Sequence, residues 1–275
     1  MTLHLPRKYN YRMKTYSTLV LSPRDHQGFY KAAGDFISED LEKQASAHVN
    51  KERVNIIYPF YQYGNYLRYA PAETQYYIPG SSIKGALPDI GTEKGKPSLM
   101  VDDIRVKSED IQLYHLQKVQ NISKEDTPIE VAEFFPNVAV EMLRADSEYT
   151  GELFYVVSKS NTKLKHEPEL YFREADEATR TKLEQLVQRI KGMSGQVKKE
   201  EDQLILNELG KNVQAILNEP QADRSNNFLL ILGGYKGLML SAISIRDGYN
   251  SAVYLDKTKR LPHGLVQLTL EHSNV

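Results

Sequence analysis

The chain has 275 residues, 40% of them hydrophobic and 26% charged, with a formal net charge of −1. That length allows one large domain or two small ones with a true core, and the absence of cysteine excludes disulfides, cysteine-based zinc sites and a thiol nucleophile. Met1 to Tyr16 carries Arg7, Lys8, Arg12 and Lys14 but no apolar run before a cleavage site, and no stretch approaches the roughly 20 apolar residues of a membrane span. A soluble protein of a reducing cytoplasm is the expectation.

The near-zero net charge hides a pattern. Residues 1–100 hold 13 Lys/Arg against 9 Asp/Glu, residues 101–223 hold 16 against 24, and residues 224–275 hold 6 against 3. The two ends are therefore basic and the middle acidic, which suggests a basic face built from both ends and an acidic region turned toward a partner protein.

In chain order, Tyr16 to Leu21 alternates and is rich in β-formers, so it reads as a strand ending at Ser22-Pro23. Asp35 precedes Phe36, Ile37, Leu41, Ala45 and Val49 at helical spacing, which predicts an amphipathic helix ending near Asn50. Ile56 to Tyr69 is tyrosine-rich and interrupted by Pro59 and Gly64, favouring irregular extended chain. Five β-type runs follow: Leu99 to Val106, Ile111 to Val119, Ile129 to Phe135, Val138 to Leu143 and Gly151 to Val157.

Glu174 to Met193 and Gln196 to Glu219 read as a helical hairpin with Gly192 and Gly195 at its bend. Its apolar faces are Leu183, Leu186, Val187 and Ile190 on one helix, and Leu204, Ile205, Leu209, Val213, Ile216 and Leu217 on the other. Phe228 to Leu232 is a buried strand leading into a glycine-rich loop, and Leu265 to Leu270 closes the chain as a strand. Strands with few helices and no regular βαβ alternation point to an α+β fold. The domain reading is residues 1–157 as a core and 158–275 as the hairpin with a C-terminal lobe, packed as one unit.

Two loops carry the candidate chemistry. Tyr76-Tyr77-Ile78-Pro79-Gly80-Ser81-Ser82-Ile83-Lys84-Gly85-Ala86-Leu87 combines a Pro-Gly turn, two serines, two further glycines and a lysine, a set suited to phosphate oxygens. It lacks the spacing of a Walker loop, so nucleotide hydrolysis is not implied; the alternative is a helix-capping turn. Gly233-Gly234-Tyr235-Lys236-Gly237 follows an apolar strand and offers close backbone approach, a stacking ring and a cation, or else simply a hairpin turn.

These strings resemble a known family. Ile78 to Leu87 looks like the IPGSSIKGAL signature of the RAMP (repeat-associated mysterious protein) superfamily, and Gly233 to Gly237 looks like its C-terminal glycine-rich loop. Leu21-Ser22-Pro23-Arg24-Asp25-His26-Gln27-Gly28 is similar to the first strand and loop, and Leu261-Pro262-His263-Gly264-Leu265-Val266-Gln267-Leu268 to the last strand with its preceding glycine. Within the superfamily the order of motifs is most similar to the subunit that caps the Csm-type (type III-A) effector filament at the crRNA 3′ end. The resemblance implies a prokaryotic CRISPR antiviral ribonucleoprotein and a ferredoxin-like or RRM-like antiparallel sheet core with a helical hairpin insertion. Its implied partners are crRNA, the backbone RAMP subunit and the small helical subunit, with target RNA nearby. No cofactor or metal is expected, and no catalysis.

The expected RNA-binding residues are Ser81, Ser82, Lys84, Gly85, Gly233, Gly234, Tyr235, Lys236 and Gly237, the two loops converging on one sugar-phosphate strand. Pro88 directly after the signature ends its helix almost at its start. The runner-up readings are a metal-independent repeat endoribonuclease using His26 as general base, or a backbone RAMP subunit. A third is a scaffold whose acidic hairpin docks neighbouring subunits. Asp102-Asp103 is a weak metal candidate because adjacent strand residues face opposite ways. His4, His48, His115, His166, His263 and His272 show no ligand spacing. Tyr58, Tyr61, Tyr63, Tyr66, Tyr69, Tyr76 and Tyr77 either stack bases or pack on the core.

Overall fold

The computed structural model describes residues 6–21, 28–64, 66–88, 98–122, 127–156, 167–219, 226–241 and 252–271. The first strand lies earlier in the chain than the predicted Tyr16 to Leu21. β1 is Arg7–Thr15, with Tyr9, Tyr11, Met13 and Thr15 buried and the intervening Lys8, Asn10, Arg12 and Lys14 exposed, the period-two signature of a half-covered strand. Tyr16 to Leu21 instead crosses the interior. Ser17 to Leu21 are all buried, and their main-chain groups bond to several segments: Leu19 exchanges hydrogen bonds with Leu143, Thr18 accepts from Gly264, and Val20 accepts from Gly234.

The helix expected over 35–50 does not form. After β2 (Phe29–Tyr30) the chain makes short 3-10 turns at Lys31–Ala33, Ser38–Leu41 and Lys51–Arg53. Side-chain carboxylates displace the helical pattern: Asp35 accepts from the Tyr30 N–H at 2.8 Å and Asp40 from the Ile37 N–H at 2.8 Å, the local competition that keeps aspartate out of helix interiors. Ala45 then bridges to Leu113.

The middle of the chain is built from short strands. β3 is Ile56–Tyr58, β4 Tyr76–Ile78, α1 Gly80–Lys84, β5 Ser98–Val101, β6 Ile104–Val106, β7 Ile111–Tyr114, β8 Leu116–Gln120, β9 Glu130–Phe134, β10 Val138–Leu143 and β11 Glu148–Val156. Two of the predicted runs are divided because the strand changes sheets part-way. Leu99 to Val106 breaks at Asp102-Asp103, and Ile111 to Val119 breaks at His115, whose buried ring sits 2.9 Å from the Val138 carbonyl.

The hairpin forms as α2 (Pro168–Gly192) and α3 (Glu200–Leu217). Proline opens α2, where its missing N–H costs nothing, and Glu200, Glu201 and Asp202 open α3, where negative charge favours the helix dipole. The apolar faces meet as predicted with one correction: Leu204 is 59% exposed, and Leu206 takes the inward position. The remaining strands are β12 (Asn227–Ile231), β13 (Val253–Asp256), β14 (Leu261–Pro262) and β15 (Leu265–Glu271).

The architecture is α+β, dominated by antiparallel pairing. The largest sheet has the order β12-β15-β1-β11-β5, the second β2-β3-β10-β7, the third β14-β13-β8-β9, and β4 pairs with β6. β15 and β12 join β1 and β11 in one sheet, so the first and last parts of the chain share a core. One face of that sheet packs on Leu21, Phe60, Tyr76, Ile78 and Ile83. At the β12 edge, Asp176 of α2 accepts the Leu229 N–H at 2.7 Å and pairs with Arg180 at 2.9 Å. This closes an edge that would otherwise invite pairing with another chain.

Glu141 and His263 are ionisable groups sealed inside. Glu141 on β10 accepts the Tyr76 hydroxyl at 2.5 Å and the Phe60 N–H at 2.9 Å. Burial pushes its carboxyl up to about 7, against the opposing pull of those donors. His263 lies with its Nδ1 2.6 Å from the Thr18 hydroxyl, and its Nε2 is buried without a partner. Burial holds the ring well below the ordinary histidine range, although Asp256 nearby pulls the other way. Asp256 itself is tied to the N–H groups of Thr18, Thr258 and Lys259.

Candidate nucleic-acid interface

The signature loop forms the short helix α1 and a following turn. Gly80 is required by packing: a Cβ there would lie 1.9 Å from the Val101 carbonyl oxygen. Its N–H donates to the Asp103 carboxylate at 2.9 Å, so the protein's own acid occupies the position a phosphate oxygen would take. The Ser82 N–H is used by Pro79 and the Gly85 N–H by Ser81. Ser81, Lys84 and Gly85 are exposed and Ser82 is half-buried. Beside the loop, Tyr63 stacks on Tyr77 with centroids 4.1 Å apart and planes at 16°, and Tyr61 tilts onto Tyr77 at 5.7 Å. Asp103 also accepts weakly from the Tyr63 hydroxyl at 3.4 Å, so this carboxylate acts as a structural cap. Among the described residues no group of three or more His, Asp or Glu is placed to hold a metal ion.

The glycine-rich loop follows β12. Gly233 (φ 78°) and Gly237 (φ 80°) both lie in the left-handed region, and a Cβ would meet the Val20 carbonyl at 2.2 Å and the Ala252 carbonyl at 1.7 Å respectively. Those two glycines therefore lock the loop to neighbouring main chain. Gly234 differs: it is exposed, and nothing lies within 4 Å of a Cβ built on it. Lys236 turns inward, its ammonium donating to the Ile231 carbonyl at 2.8 Å. Burial and then the nearby Lys182 lower its pKa to about 8. In this arrangement the Lys236 charge serves the loop's own main chain, and the loop leaves Gly234 exposed beside a half-buried Tyr235.

The two loops do not converge as expected. α1 packs on β5, while Gly233 to Gly237 follows β12; these are the opposite edge strands of the five-stranded sheet. Three strands, β15, β1 and β11, lie between those edges. Sequence order alone could not reveal this, because β15 and β1 insert between the edges from the two ends of the chain.

Sequence reading also missed how Tyr235 is surrounded. It packs edge-on against Tyr254 with centroids 5.5 Å apart, and Tyr254 meets Phe134 edge-on at 5.2 Å. Lys118 holds its ammonium 5.1 Å from the Phe134 centroid and 5.9 Å from that of Tyr254. Tyr58 and Tyr114 flank Val140 in register on β3 and β7 and share the same apolar cluster. Tyr58 and Tyr235 of this group stand out in the sequence; Tyr114, Lys118, Phe134 and Tyr254 are scattered over about 140 residues and only the sheet pairing assembles them. Asp25 and His26, the candidates for acid-base chemistry, lie outside the described residues, as do His4, His166 and His272.

No protein-family model matches this sequence, and no curated protein matches it. No helix among the described residues is long and apolar enough to cross a membrane.

Proposed function

We propose that this chain is a non-catalytic crRNA-binding subunit of a type III-A (Csm-like) CRISPR effector complex, capping the filament on the crRNA 3′ side and supporting crRNA maturation. The Ile78 to Leu87 and Gly233 to Gly237 strings, in that order, support the family assignment. The observation that supports RNA binding is the exposure of Gly234 beside the half-buried Tyr235 ring. Two glycine approaches fix the loop, leaving an exposed glycine whose bare backbone admits close contact, next to a ring suited to stacking. On this reading the partners are crRNA, a backbone RAMP subunit and a small helical subunit, with Lys84 adding a separate phosphate contact at the far sheet edge. A ferredoxin-like origin for the largest sheet is part of the same proposal. Its support is β1 at the centre of antiparallel pairing, with the helical pair packed against one end.

The test is Gly234→Glu, at a position where an added Cβ meets nothing within 4 Å. Binding of single-stranded RNA is expected to weaken at least about tenfold, the size of one good contact, with the melting temperature unchanged. Undiminished affinity in a folded variant would remove the loop from the interface.

A further inference from the structure

We infer that unpaired bases of the bound strand stack on the aromatic face formed by Tyr58, Tyr114, Phe134, Tyr235 and Tyr254, with Lys118 holding the adjoining phosphate. The inference rests on the RNA-binding reading above and adds the side of the glycine-rich loop along which the strand runs, and the part of the nucleotide that is gripped.

Sheet pairing carries the argument. Val140 on β10 lies opposite both Tyr58 and Tyr114, and directly opposed residues of a sheet share a face. Those two rings therefore lie on one face of the second sheet. The other face of the same strands, with Ile57, Leu113 and Ala139, is buried against Phe29, Phe36 and Leu41. The aromatic face instead rests on a thin floor of Val20, Leu116, Val138, Val140 and Met142. Neither α2 nor α3 packs on β3, β7 or β10, and all five rings are half-buried. Rings seated on an apolar floor but open to solvent present π-surface without loss of their own packing, as base-stacking platforms require.

The charge on this face matches the ligand. In register, Lys118 has Ala132 on one side and Tyr254 on the other, so no carboxylate opposes it, and it makes no ion pair among the described residues. The largest sheet offers no comparable surface on its open face. There Lys8 pairs with Glu152, and Arg12 with Glu148 and Glu271, leaving its cations largely neutralised.

The experiment compares a 12-nucleotide oligouridine with an abasic strand of the same length, so that phosphates are constant and only the bases are removed. Wild-type protein is expected to prefer the base-bearing strand by at least about tenfold, since each stacked base contributes roughly 1–3 kcal/mol. The Tyr58→Leu/Tyr254→Leu double variant keeps apolar bulk and should bind both strands alike; Tyr58→Phe/Tyr254→Phe should restore the preference. Equal binding of the two strands by the wild-type protein overturns the stacking inference without any variant, and so does a preference that survives in the leucine protein. The RNA-binding reading stands if, in either case, the Gly234→Glu protein still loses affinity; it falls, and this inference with it, only if the wild-type protein binds neither strand.

Discussion

Replacing Glu141 with glutamine should change how stability depends on pH rather than simply lower it. The carboxyl is fully buried and its pKa is pushed up from 4.5 to about 7, so the folded state retains a proton that the unfolded chain has already released. Stability therefore falls as pH rises through that window, being fully present below 4.5 and lost above about 7. The displacement corresponds to about 3 kcal/mol, a large part of the 5–15 kcal/mol that typically separates folded from unfolded states. Glutamine cannot titrate, yet its carbonyl can accept the Phe60 N–H while its amide donates to the Tyr76 oxygen. Urea denaturation of both proteins between pH 4.5 and 8 measures the effect. The expected result is a difference that moves by about 3 kcal/mol in favour of Glu141→Gln as pH rises. Parallel curves would refute the reasoning, because they would mean that the buried carboxyl does not hold its proton.

His263 should act in the opposite sense. Its pKa is lowered by burial, so stability is complete above about 6.5 and declines as the solution is acidified; in His263→Asn, guanidinium melts at pH 4.5 and 7 should differ less than in the wild-type protein. Gly237→Ala should cost several kcal/mol, because the added methyl meets the Ala252 carbonyl at 1.7 Å in a left-handed backbone, whereas Gly234→Ala should leave the melting temperature within about a degree. Asp176→Ala removes the acceptor of the Leu229 N–H and the partner of Arg180. A loss of about 3 kcal/mol is expected, with faster amide exchange at Leu229 as its local signature.

Periodicity located the hairpin and most strands because long amphipathic runs report directly on burial. It failed where side chains spoke for something else. β1 is concealed by its outward Lys8, Arg12 and Lys14, whose charges mask the alternation although they are the solvent face of the central strand. The 35–50 segment has a helical apolar spacing, but Asp35 and Asp40 bond to nearby main chain and local bonding prevails over pattern. At the candidate interface, glycines were legible as special while their individual duties were not. Gly233 and Gly237 close on the protein, Gly234 faces outward, and Lys236, which looks like a ligand contact, binds the Ile231 carbonyl at the end of the preceding strand. The aromatic face was illegible because it exists only after β3, β7, β9 and β13 are brought together.

β15 lies between β1 and β12, and this placement governs the order in which the protein can assemble. During synthesis the strand at residues 7–15 must wait for residues 265–271, with β11 able to protect only one of its flanks in the interval. Pairing across so long a separation is slow, and an open strand edge is a site for wrong association. A nascent chain halted before residue 265 would therefore carry β1 with its Asn10 to Thr15 edge unpaired, so that truncation there leaves the central strand of the largest sheet open on one side.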